Sequence, residues 1–315
     1  MHSAIAQKMW ERAGVIKVIF IMGASRSGST VLNALLGTDR DTTAVGELTN
    51  LPRAGWINGE YCACGEAVDR CPFWTDVLHD WQENSGSTPE QLAERQDEVE
   101  RLRYGYRPLL SVGRRRLADY GRLTTNIFGA VTKCSCRSAV VDASKNPVRA
   151  IALAANSAID LRLIHLVRDV RGVAWSLKKP YLKDIRGGIQ RDMPGSSFGK
   201  TAVFWAMSNA LCEIAMKKLP PDRRMQLRYE DLVGDPGASL KRIEAVTDLD
   251  LSGALELVEQ GTAIPFEHTV AGNRVRMSEG IMLAADFEWQ QRMSAADQRR
   301  LRRIVWPFMH RYGYT

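Results

Sequence analysis

Residues 18–30 read Val18-Ile19-Phe20-Ile21-Met22-Gly23-Ala24-Ser25-Arg26-Ser27-Gly28-Ser29-Thr30, and this stretch decides the fold. An apolar, β-branched run feeds a loop of Gly and Ser. The loop opens into Val31-Leu32-Asn33-Ala34-Leu35-Leu36, whose apolar residues have helical spacing. Strand, small-residue loop and helix N-terminus together make a phosphate cradle, because backbone N–H groups and the positive end of the helix dipole converge there. The spacing Gly23-x4-Gly28-x-Thr30 is that of a P-loop, but Ser29 stands where a P-loop has its lysine. That lysine reaches the β- and γ-phosphates of a nucleoside triphosphate, so its absence argues against an ATPase or kinase. The basic residue of this loop is Arg26, which suits a phosphate carrying another group better than a Mg-bound triphosphate.

Further along, the runs 139–143, 161–167 and 224–229 read, with 16–22, as buried parallel strands. Helical stretches near 28–37, 147–157, 170–178, 200–218 and 236–246 separate them. The alternation predicts an α/β fold, a P-loop-type parallel sheet flanked by helices, forming a single domain over 1–315 with ligands at the carboxyl ends of the strands. Residues 51–137 are too many for a connection. They read as a mostly helical insertion over the active-site edge, with a Trp-bearing helix near 72–82, a polar break at 83–89 and a charged helix over about 89–120. The segment 179–199, with Pro180, Gly187-Gly188, Pro194 and Gly195, has the composition of a loop or lid.

The chain has 315 residues, 45% of them hydrophobic, and a net charge of +7. A basic balance suits an anionic ligand, a nucleic acid or an anionic membrane. The arginine runs 114–116 and 299–303 lie in helical segments and read as solvated faces, and no nucleic-acid recognition motif accompanies them. Residues 1–13 lack a signal-peptide layout, and the apolar run 15–24 is too short to span a bilayer. The expectation is a soluble, cytoplasmic protein without nucleic-acid or membrane partners. Five of the six cysteines fall in two groups, Cys62-Ala63-Cys64-Gly65 with Cys71, and Cys134-Ser135-Cys136. Free thiols, a structural zinc and disulfides all remain open readings of them, since a C-x-C pair is tighter than the usual zinc spacing.

The loop Ser25-Arg26-Ser27-Gly28-Ser29-Thr30 resembles the 5′-phosphosulfate loop of the sulfotransferases that use 3′-phosphoadenosine-5′-phosphosulfate (PAPS), with Ser25 in place of the usual proline. Four further segments follow in the family's order. Val45-Gly46-Glu47-Leu48 is similar to the Gly-Glu segment of the tyrosylprotein sulfotransferases, and the resemblance makes Glu47 the base that takes the acceptor's proton. His268, in a loop, is the rival base. In Asp142-Ala143-Ser144-Lys145-Asn146-Pro147 a strand gives way to a helix with Pro147 in its first turn. The resemblance sets Lys145 against the transferring group; Asp142 and Ser144 themselves read as capping residues. Arg168 and Ser176, eight residues apart, match the family's pair for the 3′-phosphate, while Arg171 reads as structural. The late basic loop Gly272-Asn273-Arg274-Val275-Arg276 resembles one that closes over the same phosphate, with Arg274 the favoured arginine. Tyr229, at the end of the last strand, either lines the nucleotide site or belongs to the core.

The resemblance therefore implies a PAPS-dependent sulfotransferase releasing 3′,5′-adenosine bisphosphate. The acceptor would be a small-molecule, glycan or peptide hydroxyl. Arg and Lys would neutralise charge, so the chemistry itself calls for no metal. Trp56, Tyr61, Phe73, Trp74, Trp81, Tyr104 and Tyr106 of the insertion serve either an acceptor pocket or the core.

Overall fold

A computed structural model describes residues 15–100, 114–189 and 192–314; residues 1–13, Tyr104, Tyr106 and the Arg114 side chain, all read above, lie outside the described residues. Strand β1 (Ile16–Met22) is the centre of the sheet. Its side chains alternate between two cores, as the strand period requires. Val18, Phe20 and Met22 enter one cluster, Ile19 and Ile21 the other. Helix α1 (Ser29–Leu36) lays Leu32, Leu35 and Leu36 into the second cluster.

Strand β2 (Thr42–Gly46) was not separated as a strand by the sequence reading. Its five residues are all buried although two are threonines, so no apolar run marks it. The turn ahead of it is tied by Asp39, whose Oδ1 accepts from the Asp41 N–H at 3.0 Å and the Thr42 hydroxyl at 2.9 Å. Helices α2 (Pro72–Ser85), α3 (Pro89–Glu100) and α4 (Arg114–Ser135) come between β2 and the next strand. The stretch joining α3 to α4 lies outside the described residues. Trp74 and Trp81 of α2 are fully buried and Trp56 stacks on Trp81 at 5.6 Å, so these three aromatics are core.

Then follow β3 (Ala139–Lys145), α5 (Pro147–Ala154), β4 (Ile159–Val167), α6 (Val170–Lys178), α7 (Phe198–Met216), β5 (Arg224–Arg228), α8 (Tyr229–Gly234), α9 (Pro236–Thr247), α10 (Ser252–Glu259), α11 (Glu288–Arg292) and α12 (Ala295–Arg311). The sheet order is β2-β3-β1-β4-β5 and every neighbouring pair is parallel. The α/β class and the flanking helices are as expected. The described residues within 179–199 hold more order than their Pro and Gly content suggests. Tyr181 and Met193 exchange backbone hydrogen bonds at 3.0 and 2.8 Å, and Asp184 bridges Ile189. Among the described residues no helix is long and apolar enough to cross a membrane.

This topology sets one edge of the molecule. Gly23 follows β1, Glu47 follows β2, Lys145 ends β3, Arg168 follows β4 and Tyr229 follows β5. In a parallel sheet the residues just beyond the strand ends face a common crevice where β1 changes neighbours.

Candidate active site

The loop between β1 and α1 is held in a left-handed course. Arg26 has φ 67° and Gly28, the N-cap of α1, has φ 98°. A Cβ on Gly28 would stand 2.6 Å from the Tyr229 ring, so only glycine fits between loop and tyrosine. A non-glycine residue at positive φ stores strain, which collects at ligand-binding loops. The Ser27 hydroxyl is buried and has no partner among the described residues. A buried orphan hydroxyl is costly unless something else satisfies it. The first-turn N–H groups of α1 have no intrahelical partner either. Loop, hydroxyl and helix end fit an anion in chemistry. Ser25 and Thr30 are half-buried at the rim, and Ser29 opens the helix.

Glu47 and Lys145 meet across this rim as an ion pair, with side chains only 12% and 18% exposed. Lys145 reaches the carboxylate from the left-handed region, φ 64°, at the end of β3. Asn50 Nδ2 donates to the other carboxylate oxygen of Glu47 at 3.0 Å. The loop after the Glu47 backbone is pinned from the far end of the chain. The Glu47 N–H donates to Val270 O at 2.9 Å, and the Val270 N–H donates to Val45 O at 2.9 Å. Gly272 consequently stands beside Glu47, where an added Cβ would be 3.1 Å from Oε1. The Asn273 N–H reaches Thr30 Oγ1 at 3.4 Å.

A model of the sulfotransferase family matches residues 18–253, well over half of the chain. The chain belongs to that family. Among solved structures, this sulfotransferase resembles the sulfotransferase domain from the curacin biosynthetic pathway, at 16% identity and a TM-score of 0.53 over 96% of this chain and 99% of that one. It also resembles the sulfotransferase STF9 from Mycobacterium avium, at 14% identity and a TM-score of 0.52 over 100% of this chain and 82% of that one. At these identities the likeness is one of fold. A search of curated proteins returned no match.

Just beyond β4, the sulfotransferase sets Arg168. Its guanidinium lies 4.6 Å over the Tyr229 ring, donates to Arg26 O at 3.1 Å, and donates to Asp286 O at 2.7 Å and Oδ2 at 2.9 Å. Arg168 therefore pairs with Asp286 and not with its neighbour Asp169, which caps α6 and holds Arg171. Arg171 stacks 4.5 Å over Trp289, a structural role. Tyr229 is buried between Gly28 and Arg168 and donates its hydroxyl to Ala284 O at 2.9 Å. Its phenol is pushed up, chiefly by burial. Ser176 is half-buried two turns along α6, and no hydrogen bond ties it to Arg168 among the described residues. The 272–274 loop lies by Thr30 and Glu47, and among the described residues no hydrogen bond ties it to Arg168. Arg274 and Arg26 flank Tyr181, at 5.1 and 5.4 Å from its ring centre.

Several site-shaping residues carry no sequence signal. Asp286 and Tyr181 lie in loops without a motif. A buried network stands behind Glu47. Arg149 donates to Asp142 Oδ2 at 2.9 Å, to Glu100 Oε1 at 2.6 Å and to the Tyr120 hydroxyl at 3.0 Å. Thr49, two residues after Glu47, donates its hydroxyl to Glu100 and its N–H to Ser144 Oγ at 3.0 Å. Asp142 and Ser144 are thus parts of this network and not helix caps; Asn146 caps α5, its Oδ1 accepting from the Val148 N–H at 3.0 Å. None of the six cysteines is joined in a disulfide. His268, the rival base, faces three of them, with Nδ1 3.4 Å from Cys71 Sγ and 3.8 Å from Cys62 Sγ.

Proposed function

We propose that this sulfotransferase passes the sulfuryl group of PAPS to a hydroxyl of a small-molecule, glycan or peptide acceptor, within a single domain over 1–315 whose helical insertion, about 51–137, borders the acceptor side. The observation that carries this reading is the Glu47–Lys145 pair, held at the rim of a loop with an orphan buried hydroxyl. A base and a cation side by side, next to an anion cradle, are what sulfuryl transfer to a hydroxyl requires.

In this reading the N–H groups of 25–30, with Arg26 and the Ser29 and Thr30 hydroxyls, hold the 5′-phosphosulfate. Arg168 and Ser176 hold the 3′-phosphate, which takes over the guanidinium edge that Asp286 occupies. Tyr229 lines the nucleotide side. Gly272, Asn273 and Arg274 form the basic loop that the resemblance sets over the same phosphate, and they also abut Thr30, Glu47 and Tyr181 at the transfer end. The donor supplies a sulfur whose bond to the bridging phosphate oxygen breaks as the acceptor oxygen bonds to it, and the acceptor's proton goes to Glu47. Lys145 turns from Glu47 to the developing charge, which frees the carboxylate to accept that proton. Positioning supplies the rest, as in phosphoryl transfer. A polar cavity of about 240 Å³, lined by Thr49, Asn50, Arg53, Gln96 and Asn146 among others, adjoins Glu47 through Asn50 and supports a hydroxyl-bearing acceptor.

Thermal shift tests the donor. A ligand that binds only the native state at a hundredfold excess over Kd stabilises by about 2.7 kcal/mol, roughly 4 °C for a chain this long. 3′,5′-Adenosine bisphosphate is expected to do this, and AMP and ATP–Mg²⁺ far less. Equal stabilisation by ATP–Mg²⁺ would overturn the donor assignment in favour of a nucleotide-dependent kinase.

A further inference from the structure

We propose a structural zinc site formed by Cys62, Cys64, Cys71 and His268, which staples the cysteine segment of the insertion to the loop that reaches Glu47. In the proposed sulfotransfer chemistry Glu47, and not His268, takes the acceptor's proton, and the site stands independently of the donor assignment.

The geometry is that of an assembled ligand set. One ligand atom from each of the four residues lies within 4.8 Å of all the others. Cys64 Sγ is 3.5 Å from Cys71 Sγ, Cys71 Sγ is 3.4 Å from His268 Nδ1, and Cys62 Sγ is 3.8 Å from His268 Nδ1. Zn–S bonds of about 2.3 Å and Zn–N bonds of about 2.0 Å put the corners of a tetrahedron roughly 3.5–3.8 Å apart. A disulfide would use two of the four groups and leave the other two converging on nothing. Three thiols with one imidazole form a soft, closed, four-ligand set, which selects zinc and leaves no open position for catalysis.

The local backbone serves the same end. The tight C-x-C spacing works because the chain turns at once. The Gly65 N–H donates to Cys62 O at 3.0 Å, with Gly65 at φ 92°. Cys71 is brought back by its N–H bond to Ala67 O at 2.7 Å, immediately before α2 begins at Pro72. The imidazole is oriented from outside the set. Phe73 stacks on it at 4.7 Å and 12°, and Trp74 Nε1 donates to His268 O at 3.0 Å. Such support around a metal ligand is the usual means of fixing a histidine ring. Cys62 and Cys71 are fully buried, so the set is shielded on the protein side.

The two halves of the set lie about two hundred residues apart in sequence, and their neighbours lead straight to the transfer site. The Ala63 N–H donates to Thr269 O at 3.0 Å, Val270 pairs with Glu47, and Gly272 stands against the Glu47 carboxylate. Zinc binding displaces the thiol protons and fixes this loop, coupling metal to local order.

The test is metal analysis of untagged protein purified without chelator from zinc-supplemented cells. Wild type and Cys136→Ser are expected to carry about one zinc per chain, and Cys64→Ser and His268→Ala to lose it. Cys64 is exposed, so its replacement spares the core if Cys62→Ser or Cys71→Ser fails to fold. Cobalt added to chelator-stripped wild type is expected to give the visible bands of tetrahedral thiolate coordination, absent in Cys64→Ser. Zinc at background with no cobalt spectrum overturns the proposal. So does equal zinc in wild type and Cys64→Ser, or a Cys64–Cys71 disulfide found by mass spectrometry.

Discussion

Arg149→Met removes the cation that two buried carboxylates share. The Arg149 side chain is 0% exposed, Asp142 0% and Glu100 4%, so solvent cannot take over the lost pairing. Methionine keeps most of the volume, so the cost is chiefly one of uncompensated charge. Breaking a buried pair from one side costs about 3–5 kcal/mol. Arg149 Nη2 is already without a partner among the described residues, which places the loss toward the lower end of that range. At an unfolding entropy of about 2.1 cal/mol/K per residue, a loss of about 3–4 kcal/mol lowers Tm by roughly 5–6 °C. The Thr49 hydroxyl leans on Glu100, so turnover should fall further than bisphosphate affinity. Differential scanning fluorimetry reads the loss of stability. A Tm deficit under about 1 °C would refute the reasoning.

Glu47→Gln should leave bisphosphate affinity near wild type while PAPS hydrolysis or transfer to a phenol falls about 10²–10⁴-fold; undiminished turnover would remove Glu47 as the base. Arg168→Ala should weaken bisphosphate binding by about 1.5–3 kcal/mol, and Asp286→Asn, which withdraws a competing carboxylate, should strengthen it; calorimetry showing both unchanged would move the 3′-phosphate elsewhere. His165 is buried against Asn209, and burial holds its pKa below the ordinary value, so the unfolded chain binds the extra proton first. Its stability contribution is present above about pH 6.5 and lost on acidification, by at most about 1.4 kcal/mol per pH unit, and His165→Gln should flatten that part of the Tm–pH curve.

The sequence by itself determined the succession of strand, loop and helix over residues 16–36: an apolar run, a Gly-Ser loop and a helix start are local patterns, and each was legible because its cause is local. Lys145, Arg168 and Tyr229 were legible for the same reason, since the ends of parallel strands must share an edge. Strand β2 was hidden because its burial comes from neighbouring β3 and not from its own Thr42-Thr43-Ala44 composition. The roles of Asp142 and Ser144 were misjudged because Asp142 pairs with Arg149, beyond the helix start it was expected to cap, and Ser144 bonds to Asp142 and to Thr49. Only the tertiary structure could join Arg168 to Asp286, pair Glu47 with Lys145, set the 272–274 loop beside Thr30, or bring His268 to three cysteines about two hundred residues away. Those contacts depend on where the chain returns after long excursions, and a one-dimensional pattern carries residue type and local period but not the point of return.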